Sequence, residues 1–273
     1  MTRTAASLNA FLDATASTAL VEVTQAKGST PRETGATMLV SPSAIFGTIG
    51  GGQLEFMAID RARKMLREGE KHARLNIPLG PEIGQCCGGR VDLSISVVDD
   101  ALKAELVEKA RAEDRKRPRI YVFGGGHVGT ALASAFALLP VHVVVVETRA
   151  DALDGMPDTI ETRLTAMPEE MVREAPPGAA FVVLTHDHAL DFLIVGEALR
   201  RDDAAYVGMI GSKTKKATFK SWFLKTANGT EDVFSRLVSP IGGDAVKDKR
   251  PAVIAALAAA EIMTALALRS SAP

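Results

Sequence analysis

A short apolar run, Ile120–Phe123, opens directly into Gly124-Gly-Gly126-His-Val-Gly129, and a helix-compatible stretch follows. No other feature of the chain constrains its fold as strongly. Glycines at these positions let a strand-to-helix turn tighten, let a pyrophosphate approach the backbone, and let helix and strand pack closely. The N-terminal amides of the following helix then face an anion. A second apolar run, Val141–Val146, lacks the alternation of a half-solvated strand, so it belongs in a parallel sheet covered on both faces. Strand-like runs at 159–162, 180–184 and 205–208 alternate with helical stretches near 127–138, 189–200 and 213–225. This pattern predicts an α/β fold whose C-terminal part, residues 120–273, is a Rossmann-like doubly wound parallel sheet.

The residues before it differ in character. Short strand-like runs at 19–24, 37–40, 45–48, 73–77 and 91–98 are punctuated by Gly, Pro and Ser turns, with helices expected near 1–17, 53–67 and 101–112. Residues 1–112 are therefore expected to form a smaller N-terminal α+β domain. The charged stretch 113–119 is expected to be a linker. A net charge of −1 at pH 7 gives no electrostatic case for nucleic acid or an anionic membrane. The apolar segment Ala252–Leu268 is interrupted by Glu261 and rich in alanine, which suits a close-packed helix better than a membrane span. Two thiols with no evident bridge, and no evident signal peptide, point to the cytoplasm.

Those two thiols, the only cysteines in the chain, stand side by side in Gly84-Gln85-Cys86-Cys87-Gly-Gly89. Adjacent cysteines close a disulfide only as a strained ring. The sequence fits a soft-ligand site for a metal or sulfur species, a reactive thiol pair, or a turn carrying two small residues. A second glycine loop, Thr48-Ile-Gly50-Gly51-Gly52-Gln53-Leu-Glu55, leads from a strand into a helix, so its amides could cradle an anion, with Glu55 in the first turn. Upstream, Lys27-Gly-Ser-Thr-Pro-Arg32 brings two cations to a turn that suits phosphate or carboxylate. Glu147 ends the second Rossmann strand 18 residues after Gly129, where an acid can accept hydrogen bonds from a ribose, while nearby Arg149 suits a phosphorylated one. Thr185-His186-Asp187-His188, with Asp191 beyond, falls at a strand's carboxyl end and is a candidate for ligand contact or for a divalent metal. His127 either faces the ligand or simply starts its helix.

Together these motifs resemble the xanthine dehydrogenase accessory proteins of the XdhC/CoxI type. The resemblance rests on residues 84–89 together with Gly-Thr-Ile-Gly-Gly-Gly-Gln-Leu-Glu at 47–55. It extends to Gly-Ser-Thr-Pro-Arg at 28–32, the loop 124–129, Thr-His-Asp-His at 185–188 and Ser-Pro-Ile-Gly at 239–242. It implies a cytoplasmic, homodimeric chaperone that holds molybdenum cofactor (molybdopterin) while a cysteine desulfurase sulfurates it. The cofactor then passes to apo xanthine dehydrogenase or a related molybdoenzyme. Such a protein is a carrier more than an enzyme.

On that reading Cys86 and Cys87 contact the molybdenum or shield its sulfido group, and Gln85 hydrogen-bonds the pterin or an oxo ligand. Gly50, Gly51, Gly52, Gln53 and Glu55 border the phosphate, which Arg32 or Lys27 neutralises. Gly124, Gly126, His127, Gly129, Glu147 and His186 line the Rossmann crevice, whose candidate occupant is a nucleotide or dinucleotide. Two other readings stay open: an NAD(P)-dependent oxidoreductase with a thiol-containing site, and a persulfide relay through the two cysteines.

Overall fold

The computed structural model describes residues 4–80 and 88–270. Its first helix, α1 (Ala5–Asp13), starts at a reciprocal cap. The Thr4 hydroxyl accepts from the Ser7 amide at 3.0 Å, and the Ser7 hydroxyl accepts from the Thr4 amide at 2.9 Å. The strands β1 (Ala19–Lys27), β2 (Thr37–Val40) and β3 (Ile45–Gly47) come next, followed by α2 (Gly52–Glu68), β4 (His72–Pro78), β5 (Arg90–Val97) and α3 (Asp100–Arg115). These strands form one antiparallel sheet in the order β3-β2-β1-β5-β4.

Side chains alternate across that sheet, so β1 serves two cores at once. Val21 and Val23 pack with Leu54, Ala58, Ala62 and Met65 of α2, all at helical spacing on one face. Leu20 points the other way, to Leu8 and Leu12 of α1 and Val107 of α3. Helix α2 ends at Gly69, whose left-handed φ of 73° costs a glycine nothing.

The chain divides between Arg115 and Lys116. Residues 113–115, expected within a linker, instead continue α3. There Asp114 accepts a hydrogen bond from the Ala5 amide at 2.7 Å, and Arg115 pairs with Glu108 at 3.0 Å.

The second unit contains β6 (Arg119–Phe123), α4 (His127–Phe136), β7 (His142–Glu147), β8 (Glu161–Leu164), α5 (Pro168–Glu174), β9 (Ala180–Val183) and α6 (His188–Leu199). It continues with β10 (Tyr206–Met209), α7 (Lys213–Lys225), α8 (Glu231–Ser235), β11 (Leu237–Val238) and α9 (Pro251–Ser270). All six strands are parallel, in the order β11-β10-β9-β6-β7-β8. Counted within the unit this is 3-2-1-4-5-6 read from the β8 edge, the Rossmann order.

The Rossmann sheet is covered on both sides, as its continuous apolar strands require. Ile120, Val122, Val143 and Val145 meet α4 and α9 through Leu132, Phe136, Ala258 and Ile262. Tyr121, Phe123, Val144 and Phe181 meet α5, α6 and α7 through Val172, Ile194, Val195, Phe219 and Phe223. Each fully buried Phe contributes about 2–3 kcal/mol of transfer free energy. By length and a mean hydropathy of 2.0, Pro251–Arg269 could cross a membrane, yet its Ala255, Ala258, Ile262 and Leu266 are buried against this sheet. The Tyr206 phenol on β10 donates to Glu261 of α9. Burial first, then that carboxylate, pushes its pKa well above the usual phenol range.

Two differences from the sequence expectation stand out. The third Rossmann strand begins at Glu161, two residues later than expected. Four short elements, α5, α8, β11 and a 3-10 helix at Ala150–Leu153, were not anticipated at all.

Candidate functional site

In the first unit, three loops separated in sequence are packed in close contact. A Cβ on Gly89 would lie 2.2 Å from the Ser29 carbonyl oxygen, and one on Gly28 would lie 3.2 Å from the Gly89 Cα. Ser29 and Gly88 form an isolated bridge. A Cβ on Gly50 would sit 2.4 Å from the Pro31 Cβ. The turn 28–32 is thus wedged between the triple-glycine loop and the Gly88-Gly89 stem. Substituting Gly89 would force the two chains apart, because backbone atoms cannot move aside as a flexible side chain can.

Gln85, Cys86 and Cys87 lie outside the described residues, but both ends of their segment are in place. The Leu79 amide donates to Gly89 O at 2.8 Å, and the Gly88 amide donates to Leu79 O at 2.9 Å. These bonds close the stem on which the two thiols are carried. Beside it is a cavity of about 400 Å³ bordered by Lys27, Gly28, Leu79, Gly80, Gly89 and Arg90. Among the described residues its charged side chains are both cations, which favours an anionic occupant.

The triple-glycine loop holds a surprise. Its amide cradle already contains a carboxylate, that of Glu55. One Glu55 oxygen accepts from the Ile49 amide at 3.0 Å, the Gly51 amide at 3.1 Å and the Thr48 hydroxyl at 2.5 Å. The Gly50 amide turns to the Thr48 hydroxyl at 3.0 Å. An external phosphate would meet this anion first. Gln53 is exposed in the first turn of α2. Arg32 pairs with Glu33 at 3.3 Å and lines a separate cavity of about 250 Å³ with Leu8, Leu39 and Phe46.

In the second unit, the crevice lies where the strand order reverses, between β6 and β9. A cleft of about 290 Å³ there is lined by Gly126, His127, Glu147, Arg149, Thr185 and His186, among others. Three glycines of the loop 124–129 are fixed by packing. A Cβ on Gly124 would meet Leu184 O at 2.5 Å, one on Gly125 would meet Ala152 O at 2.1 Å, and one on Gly129 would meet Gly124 O at 2.0 Å.

Glu147 turns inward to that loop. Its carboxylate accepts from the Gly125 amide at 2.9 Å, the Thr148 amide at 2.8 Å, the Arg149 amide at 3.2 Å and the Thr148 hydroxyl at 3.2 Å, with the Arg149 guanidinium at 3.4 Å. Burial alone would raise its pKa. The amides of Gly125 and Thr148 and the Arg149 side chain outweigh that and hold it at about 2.

The loop after β9 is similarly self-contained. Asp191, fully buried, accepts from the Thr185 amide at 2.9 Å and its hydroxyl at 2.7 Å, and takes an ion pair from Lys215 of α7. Asp187 caps α6 through the Ala189 amide at 2.7 Å. These commitments leave His186 lining the crevice, with Asp187 and Asp191 engaged within their own loop. Among the described residues no group of three or more His, Cys, Asp or Glu side chains could hold a metal. Lys215 escaped the sequence analysis because 213–216 reads as a solvated helix start. The usable signal was an acid at 191 placed to enter the sheet's core.

A 3-2-1-4-5-6 sheet with a glycine-lined crevice, preceded by an antiparallel sheet unit bearing a cysteine stem, defines a Rossmann-domain protein with an additional N-terminal loop site. The XdhC Rossmann domain model matches residues 120–262, and the XdhC and CoxI family model matches residues 11–76. The chain belongs to the XdhC and CoxI family. It is similar to "Uncharacterized protein YqeB" of Escherichia coli strain K12, with 27% identity over 257 residues; the match spans 90% of this chain and 43% of YqeB, less than half of that relative's length. The crystal structure of a xanthine dehydrogenase from Bacillus halodurans shares the fold, with a TM-score of 0.78 at 18% identity, over 99% of this chain and 98% of that one.

Proposed function

We propose that this protein acts in the maturation of xanthine dehydrogenase or a related molybdenum hydroxylase, as a carrier of molybdenum cofactor. The observation that carries this reading is the cation-bordered cavity beside the stem of the Cys86-Cys87 segment. The donor set fits the group. Molybdopterin is an anionic phosphate ester with a sulfur-bound metal, and Lys27 and Arg90 match its charge while thiolates match its softness. The bound group would supply the redox-active, sulfurable molybdenum centre.

The chain's own residues bind and shield. Cys86 and Cys87 would hold the metal end and Gln85 would offer an amide to the pterin or an oxo ligand, while the loop 28–32 packs between the stem and Gly50. Glu55 occupies the triple-glycine amides, so Lys27 and Arg90 would hold the phosphate instead. No turnover is required of the protein itself. A cysteine desulfurase supplies the sulfur, the apo molybdoenzyme receives the product, and a cytoplasmic homodimer is the working form.

The test is pterin content. Protein purified anaerobically from a host that makes the cofactor should release a fluorescent pterin on oxidation, at about one per chain, and Cys86→Ala or Cys87→Ala should remove most of it. A folded parent protein that carries no pterin would sink this reading.

A further inference from the structure

The two faces of the Rossmann sheet are finished differently. On one side, α5 and α7 carry the exposed charges Arg173, Glu174, Lys213 and Lys225. On the other, α4 and α9 present none until the last turn of α9. The sequence holds no Lys, Arg, Asp or Glu between His127 and Glu147. Within α9 the one charged residue before Arg269 is Glu261, which turns inward to the Tyr206 phenol and to the Gly242 amide at 3.3 Å. A surface meant for water devotes about a quarter of its residues to charge.

The outward side of α9 is also regular. Ala252, Ala256, Ala260, Thr264 and Leu268 recur every four residues, and all five are exposed. Only 28% of the apolar window Pro251–Arg269 is buried, and Leu138, just past α4, is 74% exposed. The hydroxyls of these two helices are satisfied without water. Thr264 donates to Ala260 O at 2.8 Å, Ser134 to Thr130 O at 2.9 Å, and Thr130 to Gly125 O at 3.0 Å. Donors turned back onto their own helix leave little to desolvate when the face is covered.

We propose that this face is covered by the same face of a second copy of the chain, with the two α9 helices crossing on their four-residue ridges. Small side chains in such a row let helices approach closely, the ridge of one lying in the groove of the other. A charged partner would find no counter-charge here. An anionic membrane would find none of the cations that hold interfacial helices to lipid. An identical uncharged face is complementary to itself and buries no charge. The strip is about 30 Å long and roughly 10–20 Å wide where α4 flanks it, on the order of 500 Å² per copy. Some 1,000 Å² for the pair is roughly the lower limit of specific association, so the dimer should be reversible. This names the surface of the homodimer proposed above; cofactor carriage is a separate claim.

Sedimentation equilibrium of the full chain over about 1–100 μM should show a reversible monomer–dimer equilibrium. Ala260→Glu sets like charges against each other at the middle of the ridge and should weaken the dimer at least about tenfold. Its circular dichroism spectrum should match the parent's, because position 260 is exposed. Ser221→Glu, at an exposed position of α7, should dimerise as the parent does. A parent that stays monomeric throughout, an Ala260→Glu dimer as tight as the parent's, or equal weakening by Ser221→Glu would each overturn the proposal. So would a monomeric parent that floats with phosphatidylcholine–phosphatidylglycerol vesicles, which would assign the face to lipid. Pterin content is assayed on the same preparations. A monomer carrying pterin would sink the surface and leave the carrier reading intact, whereas a dimer sensitive to Ala260→Glu but free of pterin would do the reverse.

Discussion

Lys215→Met should destabilise the Rossmann unit by about 3–5 kcal/mol, the largest effect expected of any single side chain outside the aromatic core. Asp191 is fully buried and the Lys215 side chain is 8% exposed, so neither charge can turn to water. The two Asp191 oxygens divide their work. One holds the Thr185 amide and hydroxyl, and the other holds only Lys215. Removing the ammonium strands a carboxylate oxygen in the protein interior. Methionine fills the volume of the lysine stem, which packs under Gly211, so lost packing does not confuse the outcome. The double variant Asp191→Asn/Lys215→Met removes the uncompensated charge and should recover a substantial part of the loss. Urea midpoints of the parent, both single variants and the double variant measure this. A Lys215→Met protein within about 1 kcal/mol of the parent would show that the pair is solvated.

Glu147 should tie stability to acid. Its folded pKa is about 2 against an ordinary 4.5, so the folded carboxyl releases its proton more readily than the unfolded one. The stabilisation is therefore fully present above pH 4.5 and is lost as the pH falls toward 2. A displacement of that size corresponds to about 3 kcal/mol at neutral pH, with about 2 kcal/mol of it gone by pH 3. Other paired carboxylates titrate in the same range, so the informative quantity is a difference. The gap in unfolding free energy between the parent and Glu147→Gln should shrink by about 2 kcal/mol from pH 6 to pH 3. A gap that stays constant across this range would mean that the carboxylate does not hold the glycine loop.

The architecture was legible where one local rule determined the outcome. Ile120–Phe123, the glycines after it and Val141–Val146 are apolar without alternation, and only a sheet covered on both faces accommodates them. The helix α5 was missed because it buries only Pro168 and Val172, too few positions to display a helical period. Strand β11 is two residues long and exists because β10 offers it a parallel edge. Tertiary context makes such elements, and local pattern does not record it.

The candidate site divides in the same way. Its loops were visible because clustered glycines and adjacent cysteines stand out. The occupants of those loops were not. Glu55 and Glu147 look like acids waiting for a ligand, yet each folds back to satisfy amides of its own loop. Whether a carboxylate faces inward depends on a rotamer and a few ångströms of backbone. The 2.2 Å approach of a Gly89 Cβ to Ser29 was equally hidden, since it joins positions 60 residues apart.

The helix that closes one face of the Rossmann sheet sets a timetable for synthesis. Ile120 and Val122 are covered in part by Ala255, Ala258 and Ile262, which leave the ribosome more than 130 residues later. At ordinary elongation rates that interval is roughly 7–26 s. Through that time the nascent sheet presents an open apolar face beside strand edges, the form in which chains capture one another. Stalling within the 20 residues of α9 would leave the Rossmann sheet in its most adhesive state.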